Sequence, residues 1–149
     1  NKIPQFKFHP VGLAARCSTL KLSPPIDEQE GSWSGFSDKP SALEVPTVDL
    51  ETLMRQNGHN HIDLLKLDIE GAEYEVMDGL LKKQIPIRQV LVEFHHGIIP
   101  GFRRGQAARL IFRMALAGYK LLDQAGNNHT FLLPARIFEK RCSIIRTPP

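Results

Sequence analysis

The chain reads as an α/β protein, on three observations. The run Ile62-Asp-Leu-Leu-Lys-Leu-Asp68 is largely apolar, stops on a carboxylate and passes at once into a helix pattern. A second run, Gln89-Val-Leu-Val-Glu-Phe-His-His96, follows the same plan. The stretch between them holds one amphipathic helix, which is long enough to cross over between parallel strands. Such a crossover is right-handed. In open α/β sheets the crevice beyond the carboxyl ends of the strands is where ligands bind.

Taken in order, residues 3–22 show short alternation at Phe6 and Phe8 and again at Leu20 and Leu22, which predicts strands. Pro10 and Gly12 interrupt the first, so an edge or a hairpin is expected there. Residues 23–46 carry Pro24, Pro25, Gly31, Gly35, Pro40 and Pro46 among Ser, Asp and Glu, and predict a long surface loop. Loops of that length are functional or disordered. Trp33 and Phe36 lie inside it. They either anchor the loop to the body or, if the loop is a lid, place Trp33 against a substrate.

A short helix is predicted from Thr47, with Thr47 as its cap, Asp49 and Glu51 at its positive end and Gly58 as its stop. Residues 62–68 form the central strand. Leu64, Leu65 and Leu67 are too continuous for a half-exposed strand, so burial on both faces is expected. Residues 72–83 form a helix with Ala72, Val76, Met77, Leu80 and Leu81 on one side. Val90–Val92 is the next buried strand. Ala107, Leu110, Ile111 and Met114 define a third helix over 103–117, which Gly118 ends. Residues 119–123 and 129–133 flank Gly126-Asn-Asn128 and predict a β-hairpin. The tail, 143–149, is expected to be loose.

The bulk numbers fit one domain. The chain has 149 residues, 42% hydrophobic and 23% charged, with a formal net charge of +3. These are ordinary globular values. No basic block concentrates the charge, and no nucleic-acid partner is expected. No apolar run is long enough to span a membrane, and no signal peptide is visible. Two cysteines, Cys17 and Cys142, stand far apart and form no disulfide framework or metal knuckle. A reducing, cytoplasmic setting is expected. The first residue is Asn1 rather than Met, so the chain is expected to begin inside a longer gene product or after processing.

The candidate catalytic residues are Asp68, Glu93 and His95. Asp68 ends a buried strand and can face the crevice. Glu93 and His95 lie two apart, so a strand carries them on one face, with His96 on the other. Asp68 or His95 is the candidate base, since an imidazole suits general-base work near neutral pH. The competing reading of His95 is a hydrogen-bonded histidine tucked under a loop. Glu70, Trp33 and His96 are candidate substrate contacts. Gly71 allows a tight turn or the close approach of a ligand. Glu73 and Glu75 are assigned to the dipole of the following helix. Lys66, on a buried strand, needs an ion-pair partner or must snorkel outward. Asp68, Glu93 and His95 are also a conceivable ligand set, but no H-E-x-x-H spacing supports it and no metal is assigned. No G-x-S-x-G elbow is present.

The segments Val45-Pro-Thr-Val-Asp-Leu-Glu-Thr-Leu53, Ile62–Glu73 and Val90-Leu-Val-Glu-Phe-His95 together resemble the FkbM-type methyltransferases. The resemblance is good over residues 45–95 and weaker to about 133. It implies S-adenosylmethionine as cofactor of the complete domain, a hydroxyl acceptor of small-molecule or glycan-like character, and a mostly parallel Rossmann-like sheet whose antiparallel end is the 119–133 hairpin. The chain departs from that family in having no G-x-G. The cofactor loop is therefore expected outside it, the cofactor-binding residues are left unassigned, and residues 1–149 are read as the substrate-side, C-terminal part of one domain that lacks the first strands. An edge strand ending at Asp68 would then call for cover by missing chain, a homo-oligomer partner or a rearranged strand. Two alternatives remain: a catalytically silent α/β module or truncated gene product, and a metal-dependent hydrolase using Asp68, Glu93 and His95.

Overall fold

The computed structural model describes residues 6–24, 33, 35, 40, 43–95 and 104–145. Seven strands and four helices are built from them: β1 (Gly12–Leu13), β2 (Ser18–Leu22), β3 (Leu43–Val48), α1 (Leu50–Gln56), β4 (Ile62–Leu67), α2 (Glu73–Lys83), β5 (Ile87–Glu93), α3 (Arg104–Leu116), β6 (Lys120–Ala125), β7 (Asn128–Leu132) and α4 (Ala135–Ile145). The strands form two mixed sheets, ordered β1-β3-β2 and β4-β5-β7-β6.

β4 and β5 are adjacent and parallel, in register Leu65↔Val90, Lys66↔Leu91 and Leu67↔Val92. α2 joins them, as the two apolar runs predict. β5 then pairs antiparallel with β7, and β7 with β6, so the hairpin forms the far end of this sheet. In the smaller sheet β1–β3 is parallel and β2–β3 antiparallel. Antiparallel pairs therefore outnumber parallel ones, and the sheets are mixed rather than mostly parallel.

One core holds the larger unit together. Leu67, Val90, Val92, Phe94, Phe131 and Leu133 pack with Val76, Met77 and Leu80 of α2 and with Ala107, Leu110 and Met114 of α3. Leu50 and Met54 of α1 join the same cluster. Each fully buried side chain of this size is worth about 1.5–3 kcal/mol relative to exposure. Arg113 of α3 pairs with Asp78 of α2, and Lys83 of α2 reaches Asp49 and Glu51 at the start of α1 at 3.4 and 2.6 Å. The helices are thus tied at their polar margins as well.

Five expectations are corrected. β4 lies at the edge of its sheet and is not buried on both faces: Leu64 is 57% exposed. Its apolar run reads like that of a covered strand because sequence cannot show which neighbours are present. Thr47 belongs to β3, and Asp49 caps α1 by accepting from the Thr52 N–H at 2.7 Å. The loop predicted over 23–46 gives way to strand from Leu43. Pro46, which cannot donate to a ladder and is rare in central strands, sits within β3 opposite Thr19. Phe6 and Phe8 form no strand and are exposed. Residues 143–145 belong to α4, not to a loose tail. Helix α4 was not predicted, although Ile137, Phe138, Arg141 and Cys142 recur at helical spacing after Pro134. It packs Phe138 against the core and donates from Arg141 to the Ala117 carbonyl at 2.8 Å.

Candidate active site

The carboxyl ends of β4 and β5 meet at the start of α2. β4 stops at Leu67, and the chain turns through Asp68-Ile-Glu-Gly-Ala72 into the helix. Two consecutive positive φ angles make that turn, 52° at Glu70 and 105° at Gly71. Glycine takes such a conformation without steric cost, and Glu70 takes it at some strain. The turn brings the N–H groups of Ile69 and Gly71 inward, forming a small anion-binding concavity. The side chain of Glu73 fills it, accepting from both N–H groups at 2.9 Å.

Glu73 is fully buried. Its Oε1 also lies 2.8 Å from Nδ1 of His95. The dipole role assigned to Glu73 from sequence is therefore too small: this carboxylate locks the turn and orients the imidazole. A carboxylate on one ring nitrogen sets Nδ1 as the donor and turns Nε2 outward. His95 is itself buried, with 7% of its side chain exposed. Its Nε2 stands 3.5 Å from Glu70 Oε2 and 3.9 Å from Asp68 Oδ1. Asp68 is the more open of the two carboxylates and is held from the strand side by Lys66 Nζ at 2.9 Å. That hydrogen bond and the Asp68 charge raise the Lys66 ammonium above its ordinary value. Lys66 is thus a paired, outward-facing lysine.

Phe94, the residue before His95, is completely buried and stacks on Tyr74 of α2 at 5.4 Å between ring centroids. It fixes the backbone from which His95 projects. His129 of β7 is buried behind the same ring, with centroids 5.1 Å apart, and bonds the Asn127 carbonyl. It is a structural histidine and not part of the cluster.

The structure therefore gathers Asp68, Glu70 and His95, and adds Glu73 and Lys66. It does not bring Glu93 into the group. β5 ends at Glu93, so the alternation that linked 93 to 95 no longer holds at His95. Glu93 instead lines a small cavity of about 70 Å³ with Lys66, Leu91 and Thr130, where its charge acts on Lys66. Trp33 is 41% exposed. His96 lies outside the described residues. Glu73 was discoverable in principle: a carboxylate two residues beyond a glycine turn is placed to accept that turn's N–H groups.

The α/β sheet thus holds a buried carboxylate–imidazole pair that opens onto two carboxylates at the strand ends. The chain belongs to the methyltransferase FkbM domain family, whose pattern it matches over residues 1–121. It is also similar to the human protein described as "Probable methyltransferase-like protein 24", with 32% identity over 81 residues. That match covers 52% of this chain and 22% of the relative, so the chain spans well under two thirds of the relative's length. No solved structure matches. Among the described residues no helix is long and apolar enough to cross a membrane.

Proposed function

We propose that this chain carries the acceptor side of an S-adenosylmethionine-dependent methyltransferase directed at hydroxyl oxygen. The single observation behind the reading is the buried Glu73–His95 pair at the ends of β4 and β5, in a chain of a methyltransferase family. A hydroxyl becomes a competent nucleophile as its proton is removed, and a positioned base contributes about 10²–10⁴-fold. The acceptor O–H donates to His95 Nε2. As the proton arrives, Glu73 stabilises the imidazolium through Nδ1, and Asp68 and Glu70 stabilise it from the Nε2 side. Asp68 and Glu70 also offer acceptors for a polyhydroxylated ligand, which favours a small-molecule or glycan-like acceptor.

The turn after β4 leaves its two inward N–H groups bonded to Glu73 rather than open to a cofactor. Of the described strand-to-helix turns, only this one contains a glycine. S-adenosylmethionine supplies the methyl group when bound, and the steps assigned to this chain are those at the acceptor. The same observation favours one second reading, a catalytically silent α/β module. Transfer of labelled methyl from S-adenosylmethionine to a panel of hydroxylated small molecules and glycans, by the intact protein, separates the two. Transfer that depends on His95 supports the enzyme, and cofactor binding without any transfer supports the silent module. We further propose that the open β4 edge is covered in solution, with a second copy of the chain as one candidate.

A further inference from the structure

We infer that Asp68, Glu70 and His95 form a binding site for one divalent transition-metal cation at the carboxyl ends of β4 and β5. The spacing of the sequence assigns no metal, and its nearest ligand set included Glu93. The structure replaces Glu93 with Glu70. One carboxylate oxygen from each of Asp68 and Glu70 and the Nε2 of His95 lie within 4.8 Å of one another. Metal–ligand bonds of about 2.0–2.2 Å place neighbouring donors roughly 3 Å apart. The observed separations of 3.5 and 3.9 Å from Nε2 to the carboxylates thus need only a small closing movement. Asp68 can supply it, since its side chain is partly exposed.

The stronger argument is the direction of His95. Glu73 Oε1 lies 2.8 Å from Nδ1, which turns Nε2 toward two carboxylates. Three groups that converge on one point around a buried ring nitrogen call for a positive charge between them. A divalent cation at that point would be held by all three donors. A carboxylate on the far nitrogen of the ring is also the arrangement that orients metal-binding histidines. Two carboxylates and one imidazole suit Mn²⁺ or Zn²⁺, whereas Mg²⁺ keeps more of its water and gains less from the nitrogen. Three protein ligands leave positions for water or an acceptor oxygen. With the ion in place His95 serves as a ligand, and only in the ion-free state is Nε2 open to a proton.

This inference goes beyond methyl transfer and is tested without cofactor or acceptor. The 149-residue chain, stripped with chelator, is titrated with Mn²⁺ followed by electron paramagnetic resonance and with Zn²⁺ by calorimetry. One saturable site is expected, with Zn²⁺ or Mn²⁺ bound at least tenfold more tightly than Mg²⁺. Asp68→Asn, Glu70→Gln and His95→Gln should each weaken binding by tenfold or more. Glu73→Gln should weaken it by about 10–100-fold through misorientation of the ring. Circular dichroism checks each fold, and if the two variants of buried residues unfold, Asp68→Asn and Glu70→Gln decide alone. Absence of saturable binding, or affinity unchanged in those two variants, overturns the site. Absence of methyl transfer with ion binding intact would leave the site standing and count against the proposed function only.

Discussion

Glu73 carries more of this site than its position in the first helical turn suggests. It accepts two backbone N–H groups and the imidazole N–H while fully buried. Replacing it with glutamine turns an amide N–H₂ toward one of those donors. A buried donor left unpaired costs about 1–3 kcal/mol, so Glu73→Gln should lower the melting temperature and reduce methyl transfer together. Thermal melts and kinetics on the same preparation check it; an unchanged melt would mean that Glu73 is not the lock of the turn. Asp68, Glu70 and His95 were legible in sequence because strand ends in α/β sheets point to a crevice. Glu73 was not, because a dipole explains any acid in a first turn equally well. Glu93 stands apart from them, since period-two alternation holds only while the strand lasts.

Among the elements, α1 and α3 give the sharpest tests. Asp49 caps α1. Burial pushes its carboxyl up, but the hydrogen bonds from Thr52 and the charge and hydrogen bond of Lys83 outweigh it and hold the group below its ordinary value of 3.8. A carboxyl depressed in the folded state adds stability above its unfolded value. That contribution is lost as pH falls from about 3.8 through the lower folded value. Asp49→Ala should therefore cost about 0.5–2 kcal/mol near neutral pH, and the deficit should shrink in acid. Denaturant melts of both proteins across pH measure it; a deficit independent of pH would contradict the cap. Gly118 ends α3 at φ 91°, and an added Cβ would lie 2.8 Å from Ile137 Cδ1 of α4. Gly118→Ala should cost more than about 1 kcal/mol chiefly through the positive φ, since the end of the Ile137 side chain can move aside. Neutral behaviour would mean that residue 118 does not hold that backbone conformation. β4, α2, β5, α3 and the hairpin were readable because each shows a clean period and a stop. β3 was masked by Pro46, and α4 by the neighbouring Pro-rich terminus.

At the scale of the whole molecule, the larger sheet ends in an exposed strand on one side, and the acidic site lies at the tip of that strand. The parallel β4–β5 pair, which positions the site, was legible in sequence. The mixed character of both sheets was not, because single strands do not reveal their partners. The chain shows no G-x-G and spends the N–H groups of its glycine turn on Glu73. Calorimetry on the 149-residue chain should thus find S-adenosylmethionine binding weaker than micromolar, a loss of several kcal/mol at about 1.4 kcal/mol per tenfold. Micromolar binding would reveal a cofactor site within these residues. The most direct test of the site itself is transfer of labelled methyl by the intact protein, compared for the natural chain, Asp68→Asn and His95→Gln, with circular dichroism on each. The account predicts a folded Asp68→Asn protein with a reduced rate, and a loss of about 10²–10⁴-fold for His95→Gln, which removes the base. Full activity in either folded variant would contradict it and move the active centre away from the ends of β4 and β5.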